Sequence, residues 1–136
     1  MHPHMSDTSI PLQPAAYLRR CPSPGPASPV EVHRETFRRF AARLGLPAPA
    51  LYLDDLPAAR GPRPRPQFEA LVHAVMDGSH RVLLIPGPWV FSSEDHRVRL
   101  AYRVLMAAGC RRILILPTPL ATAWRLRLNL PDEHTE

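Results

Sequence analysis

The chain contains no lysine. All seventeen basic side chains are arginine, set against twelve acids for a net charge of +5. In an Arg-, Ala- and Pro-rich sequence a high pI is weak evidence for a polyanionic partner, so charge alone does not point to nucleic acid. Cysteine is scarce too: Cys21 and Cys110 stand apart, which excludes a disulfide scaffold. No C-x-x-C or H-x-x-x-H spacing occurs, so no metal ligand set is readable, and His2 and His4 lack the partners a site would need. The longest apolar stretch, Val82 to Ile85 and then Trp89 to Phe91, is broken by Pro86 and Pro88 and is far too short to span a bilayer. The first residues lack a basic region followed by an apolar one, and a cytoplasmic protein with reduced thiols and no membrane contact is expected. Nucleotide fingerprints are missing as well. The segment after the first apolar run is CPSPGPAS rather than G-x-G-x-x-G, no G-x-x-x-x-G-K-[ST] occurs, and no cofactor is expected.

Proline is what the chain has in excess, eighteen in 136 residues, more than twice the usual share of about 5%. Proline removes a backbone donor and blocks helix interiors, so it must collect in loops around a smaller core. Residues 1–13 show no periodicity and read as a disordered leader, 14–120 as the folded domain, and 121–136 as a tail with a weak helical patch over 121–128.

Within the domain, strands and helices alternate. Ala15–Arg20 reads as a strand. Ser28, Pro29 and Glu31 form a capping box that opens a helix carrying Val30, Phe37, Phe40, Ala41 and Leu44 on one face, with Gly45 closing it. Ala50–Asp55 is a second strand. Pro66 opens a helix with Phe68, Leu71, Val72, Val75 and Met76 buried, ended by Gly78. Arg81–Ile85 is a continuous apolar run suited to a strand covered on both faces. A helix from about Glu94 carries Val98, Ala101, Tyr102, Leu105 and Ala108 and stops at Gly109; Arg111–Leu116 is the fourth strand. This alternation predicts an α/β fold: a four-stranded, mostly parallel, doubly wound sheet with helices on both faces. Ligands of such sheets sit beyond the carboxyl ends of the strands, at the point where strand order reverses.

The loops at that end are cationic. Residues 19–65 hold nine arginines against four acids. Arg19, Arg20 and Cys21 close the first strand, and Arg63 and Arg65 stand where the second helix dipole adds positive potential. Such a mouth attracts phosphate and lowers the pKa of a nearby thiol. The alternative is that these arginines are solvated and Cys21 is a half-buried strand-end residue. Trp89, Val90 and Phe91 leave a similar choice between core closure and an exposed ridge that docks a partner. His33, His73, His80 and His96 read as surface or loop residues.

Two short motifs resemble the serine recombinases, the resolvase/invertase family. The Y-x-R-x-S of that family's first strand is matched by Tyr17, Leu18, Arg19, Arg20 and Cys21, and its R-P-x-F-x-x-L by Arg65 to Leu71; Tyr52, Leu53 and Asp54 match a Y-x-D in the second strand. The resemblance spans about residues 15–120. It implies that the family's nucleophilic serine, which attacks a DNA phosphodiester, is represented by Cys21, and that Arg19 and Arg65 stand where family arginines bind phosphate. The family's D-R-L-x-R after the third strand has no counterpart, since Trp89 to Ser93 occupy that stretch. Losing one preorganised donor costs roughly 10²–10³ in rate, and thiolate attacks phosphorus poorly. The resemblance therefore implies a catalytically degenerate recombinase-like domain. Tyr17, Arg19, Cys21 and Arg65 occupy the former catalytic positions, and Arg19, Arg20, Arg63 and Arg65 remain for weak, salt-dependent DNA or phosphate binding. A homodimer or a pairing with another recombinase-like subunit is the protein partner it suggests. Two other readings stay open: a Cys21-based nucleophilic enzyme and a non-catalytic interaction module.

Overall fold

The four apolar runs of the sequence become four short strands, and the computed structural model of the protein describes residues 12–20, 30–55, 65–118, 123 and 126–128. In chain order the elements are β1 (Ala15–Arg20), α1 (Val30–Arg43), β2 (Ala50–Asp55), α2 (Pro66–Met76), β3 (Val82–Ile85), a 3₁₀ turn (Pro88–Val90), α3 (Asp95–Ala108) and β4 (Arg112–Ile115). The strands lie in the order β2-β1-β3-β4 and every pairing is parallel. β1 is central, and its register runs from Ala15 beside Ala50 to Arg20 beside Asp55 on one side and pairs Ala15 and Ala16 with Leu83 and Leu84 on the other.

Burial follows from that order. Ala15, Ala16 and Tyr17 of β1 and Leu83, Leu84 and Ile85 of β3 are fully covered, as expected of inner parallel strands with helices on both faces. The chain leaves β1 for β2 on one side, then returns across β1 to β3 on the other. Right-handed crossovers then place α1 on one face and α2 with α3 on the opposite face. Phe37, Phe40 and Ala41 are the buried stripe of α1, Leu71 and Val75 that of α2, and Val98, Tyr102 and Leu105 that of α3. Each fully buried aliphatic side chain contributes about 1.5–3 kcal/mol relative to exposure.

Helix ends are set by glycine. Gly45 lies at φ +75°, Leu46 N–H donates to Ala41 C=O and Gly45 N–H to Ala42 C=O. This pair of bonds satisfies the last carbonyls of α1, and it needs a left-handed residue that only glycine adopts without cost. Gly109, at φ +123°, ends α3 with the same pair, Cys110 to Leu105 and Gly109 to Met106.

Several sequence expectations are corrected. Leu44 is exposed because it lies beyond Arg43, the last helical residue of α1, and Met76 is exposed because it is turned about 100° from Val75 on α2. β3 and β4 are shorter than read: Arg81 precedes β3, Arg111 and Leu116 flank β4, and the Arg81 carbonyl accepts from the amides of Arg111 and Arg112. His80 is buried rather than a surface histidine. Its Nδ1 lies 2.8 Å from the Gln13 carbonyl and its Nε2 2.9 Å from the Tyr52 hydroxyl. A carbonyl only accepts, so Nδ1 carries the proton. Leu128, read as part of a tail, is buried in the core, and residues 126–128 are helical. The capping box residues Ser28 and Pro29 lie outside the described residues, as does the 1–11 part of the leader.

Candidate functional site

Side chains alternate along a strand, so Tyr17 and Arg19 of β1 share the α2 face of the sheet, while Arg20 belongs to the opposite one. Arg20 is committed there. It grips Asp55 of β2 through two bonds of 2.9 and 2.8 Å, which raise the arginine pKa and hold the carboxyl below its usual range.

On the α2 face the organising group is Asp54, a carboxylate with 2% exposure. α2 begins with Pro66, which has no N–H, preceded by Arg65, whose side chain cannot accept the orphan amides. Asp54 supplies the missing cap from the neighbouring strand. Its Oδ1 accepts from Gln67 N–H at 2.9 Å, and its Oδ2 accepts from Phe68 N–H at 3.0 Å and from the Tyr17 hydroxyl at 2.8 Å. The carboxylate thus lies at the positive end of the helix dipole, where negative charge is stabilised.

Tyr17 is locked by this arrangement. Burial, and then the bond to Asp54, push its phenol far above the ordinary range, so it stays a neutral donor. It ties β1 to Asp54 and has no surface for a ligand. The buried thiol of Cys110 behaves alike: burial pushes it up to about 11, and its Sγ donates to the Arg112 carbonyl at 3.3 Å.

The two shifts have a measurable consequence. Both folded pKa values lie above the unfolded ones, so the native state retains protons that the unfolded chain has lost. Stability is full below about pH 9 and falls as pH rises, first through Cys110 and above pH 10 through Tyr17, each by about 1.4 kcal/mol per pH unit. Urea midpoints between pH 10 and 11.5 are therefore expected to fall less steeply for Tyr17→Phe than for the parent. Equal slopes would show that Tyr17 ionises as freely folded as unfolded.

Arg65 is partly buried at the start of α2, and its Nη1 donates to the Phe91 carbonyl, joining the helix to the loop after β3. Burial and the positive charge of Arg19 lower its pKa, Tyr17 and Asp54 act in the opposite sense, and Arg97 of α3 lowers it further. Arg19 near the carboxyl end of β1 and Arg65, bonded to the loop after β3, thus lie at the end of the sheet where strand order reverses, and the charge of Arg19 acts on Arg65 across 46 positions of sequence. Neither forms an ion pair among the described residues. Asp54, the carboxylate whose charge acts on Arg65, already accepts from three other donors.

The loop after β3 folds inward. Val90 and Phe91 are each 1% exposed and Trp89 packs partly buried against the core, so of the two readings core closure holds and the exposed ridge does not. The Phe91 ring lies parallel to Tyr17 at 6.0 Å and meets Phe68 and Tyr102 edge-on, each at 5.8 Å. Four rings from β1, α2, the loop and α3 thereby close the end of the sheet. Gly87 admits this turn, since a Cβ there would fall 2.0 Å from the Trp89 ring.

Of the residues singled out in the sequence, Tyr17, Arg19 and Arg65 come together. Arg20 points to the other face, and Cys21 and Arg63 lie outside the described residues. Arg97 and the capping role of Asp54 were missed. The second had a signal, because a helix opened by Arg-Pro needs an acceptor from elsewhere. Among the described residues no cluster of His, Cys, Asp and Glu could hold a metal, and no helix is long and apolar enough to cross a membrane.

An all-parallel four-stranded α/β sheet flanked by helices is a fold that resembles the catalytic domain of an integrase. The particular neighbour is the N-terminal catalytic domain of TP901-1 integrase, with a TM-score of 0.55 at 15% sequence identity, covering 85% of this chain and 91% of that one. The likeness is one of fold. No protein-family model matches the chain, and no curated protein sequence matches it significantly.

Proposed function

We propose that this chain is a serine-recombinase-like domain that no longer exchanges DNA strands and that holds the phosphate backbone of DNA weakly through Arg19 and Arg65. The observation that carries this reading is the placement of Arg19 at the end of β1, on the sheet face that α2 covers, and of Arg65 at the start of α2, within electrostatic reach of one another in an integrase-like fold. Their mutual repulsion is relieved by a bound anion, and each presents planar donors suited to phosphate oxygens. Arg63, two positions before Arg65 in the sequence, is a further candidate contact, whereas Arg20 is held by Asp55.

Loss of catalysis is supported by the loop after β3. Phosphoryl transfer depends on positioned charge, and the stretch where the family carries an aspartate and two arginines here turns Val90 and Phe91 into the core. Residues 86–93 carry no charged side chain, and the Phe91 carbonyl accepts one of the Arg65 donors.

Fluorescence anisotropy with labelled duplex DNA, followed by denaturing gels for covalent products, tests both parts. Binding is expected to weaken steeply with salt, with log K falling by about 0.9 per phosphate contact for each decade of salt, and no covalent protein–DNA product should form. Binding indifferent to salt would overturn the backbone-contact reading. A covalent adduct at Cys21 would overturn the loss of catalysis.

A further inference from the structure

The loop that Arg65 grips also fixes where α3 begins. Phe91, whose carbonyl accepts from Arg65, packs its ring against Tyr102 of α3, and the helix starts four residues later at Asp95. The first turn of α3 thus follows directly on the loop that Arg65 holds, and the charge of Arg97 acts on Arg65. The Arg97 side chain is 66% exposed, and its carboxylate neighbour is Glu94, 56% exposed, at 3.3 Å one turn back. An ion pair between two exposed side chains is screened by water and contributes little, so another anion can take the place of Glu94.

Resting on the phosphate-backbone reading above, we infer that Arg97 is a third DNA-phosphate contact, and that Glu94 is the intramolecular competitor that occupies it when no DNA is bound. The positive charge absent from the Trp89–Ser93 loop is then supplied one helical turn later, from a rigid element. Arg99, two positions on, lies about 200° round the helix axis and serves as a control of equal charge.

The test is the salt dependence of anisotropy on labelled duplex DNA for the parent and for Arg97→Ala, Arg99→Ala, Glu94→Gln and Arg19→Ala, each checked for folding by circular dichroism. Arg97→Ala is expected to lower the salt slope by about one, Arg99→Ala to leave it unchanged, and Glu94→Gln to tighten binding at low salt by about twofold or more, as one opposing charge is removed. Should Arg19→Ala weaken binding while Arg97→Ala and Arg99→Ala behave alike, the inference fails and the broader reading stands. Should the parent not bind duplex DNA at all, the broader reading fails and the inference with it.

Discussion

Replacing Asp54 by alanine is expected to lower folding stability by about 3 kcal/mol, a large part of the roughly 5–15 kcal/mol typical of a domain. The substitution strands three donors at once. The Tyr17 hydroxyl is fully buried and has no water to turn to, and an unsatisfied buried donor costs about 1–3 kcal/mol. Loss of a helix cap adds about 0.5–2 kcal/mol, with Phe68 N–H carrying more of it than the exposed Gln67. Asp54→Asn keeps one acceptor oxygen but places an amide NH₂ against a donor, so about half the loss should remain. Tyr17→Phe removes donor and demand together and should cost no more than about 1.5 kcal/mol at neutral pH. Urea unfolding with an unchanged denaturant slope gives these values directly. A loss under about 1 kcal/mol for Asp54→Ala would mean that the end of β2 does not cap α2.

A loss of similar size, about 3–5 kcal/mol, is expected for Phe91→Ala. Its ring meets Tyr17, Phe68 and Tyr102, and aromatic pairs of this kind contribute about 0.5–1.5 kcal/mol each beyond their burial. The change also loosens the loop whose carbonyl holds Arg65, so it reaches the mouth as well as the core. Phe91→Leu fills most of the volume and should recover more than half of the stability. If Phe91→Ala unfolds at nearly the parent's urea midpoint, the four-ring closure of the sheet end is not formed.

The parts legible in the sequence are those governed by local rules. The bounds of β1 and β2 coincide with apolar runs flanked by Gln-Pro and by Asp-Leu-Pro. Gly45, Gly78 and Gly109 mark helix stops because a left-handed residue is needed there. Arg19 and Arg65 were singled out through two short motifs, and the parallel order of the sheet explains why residues so distant in sequence meet. What local pattern could not supply is long-range: the three bonds of Asp54 reach across 13, 14 and 37 positions. His80 reads as a loop residue until Gln13 and Tyr52 close round it. Arg97 looks like one of several solvated arginines on α3, and only the fold brings its charge to act on Arg65. Leu128 ended a weak helical patch in the sequence, but its burial was not legible because Arg127 and Asn129 adjoin it and only the fold shows what covers it.

The central claim is that Arg19 and Arg65 serve one anion together, and a double-mutant cycle on duplex DNA affinity tests it most directly. Arg19→Gln, Arg65→Gln and the combined variant would be compared with the parent at one low salt concentration, with folding verified for each. Two groups acting on the same phosphate should show a coupling of at least about 0.5 kcal/mol. Losses that simply add, within about 0.3 kcal/mol, would place the two arginines on separate anions and contradict the shared site.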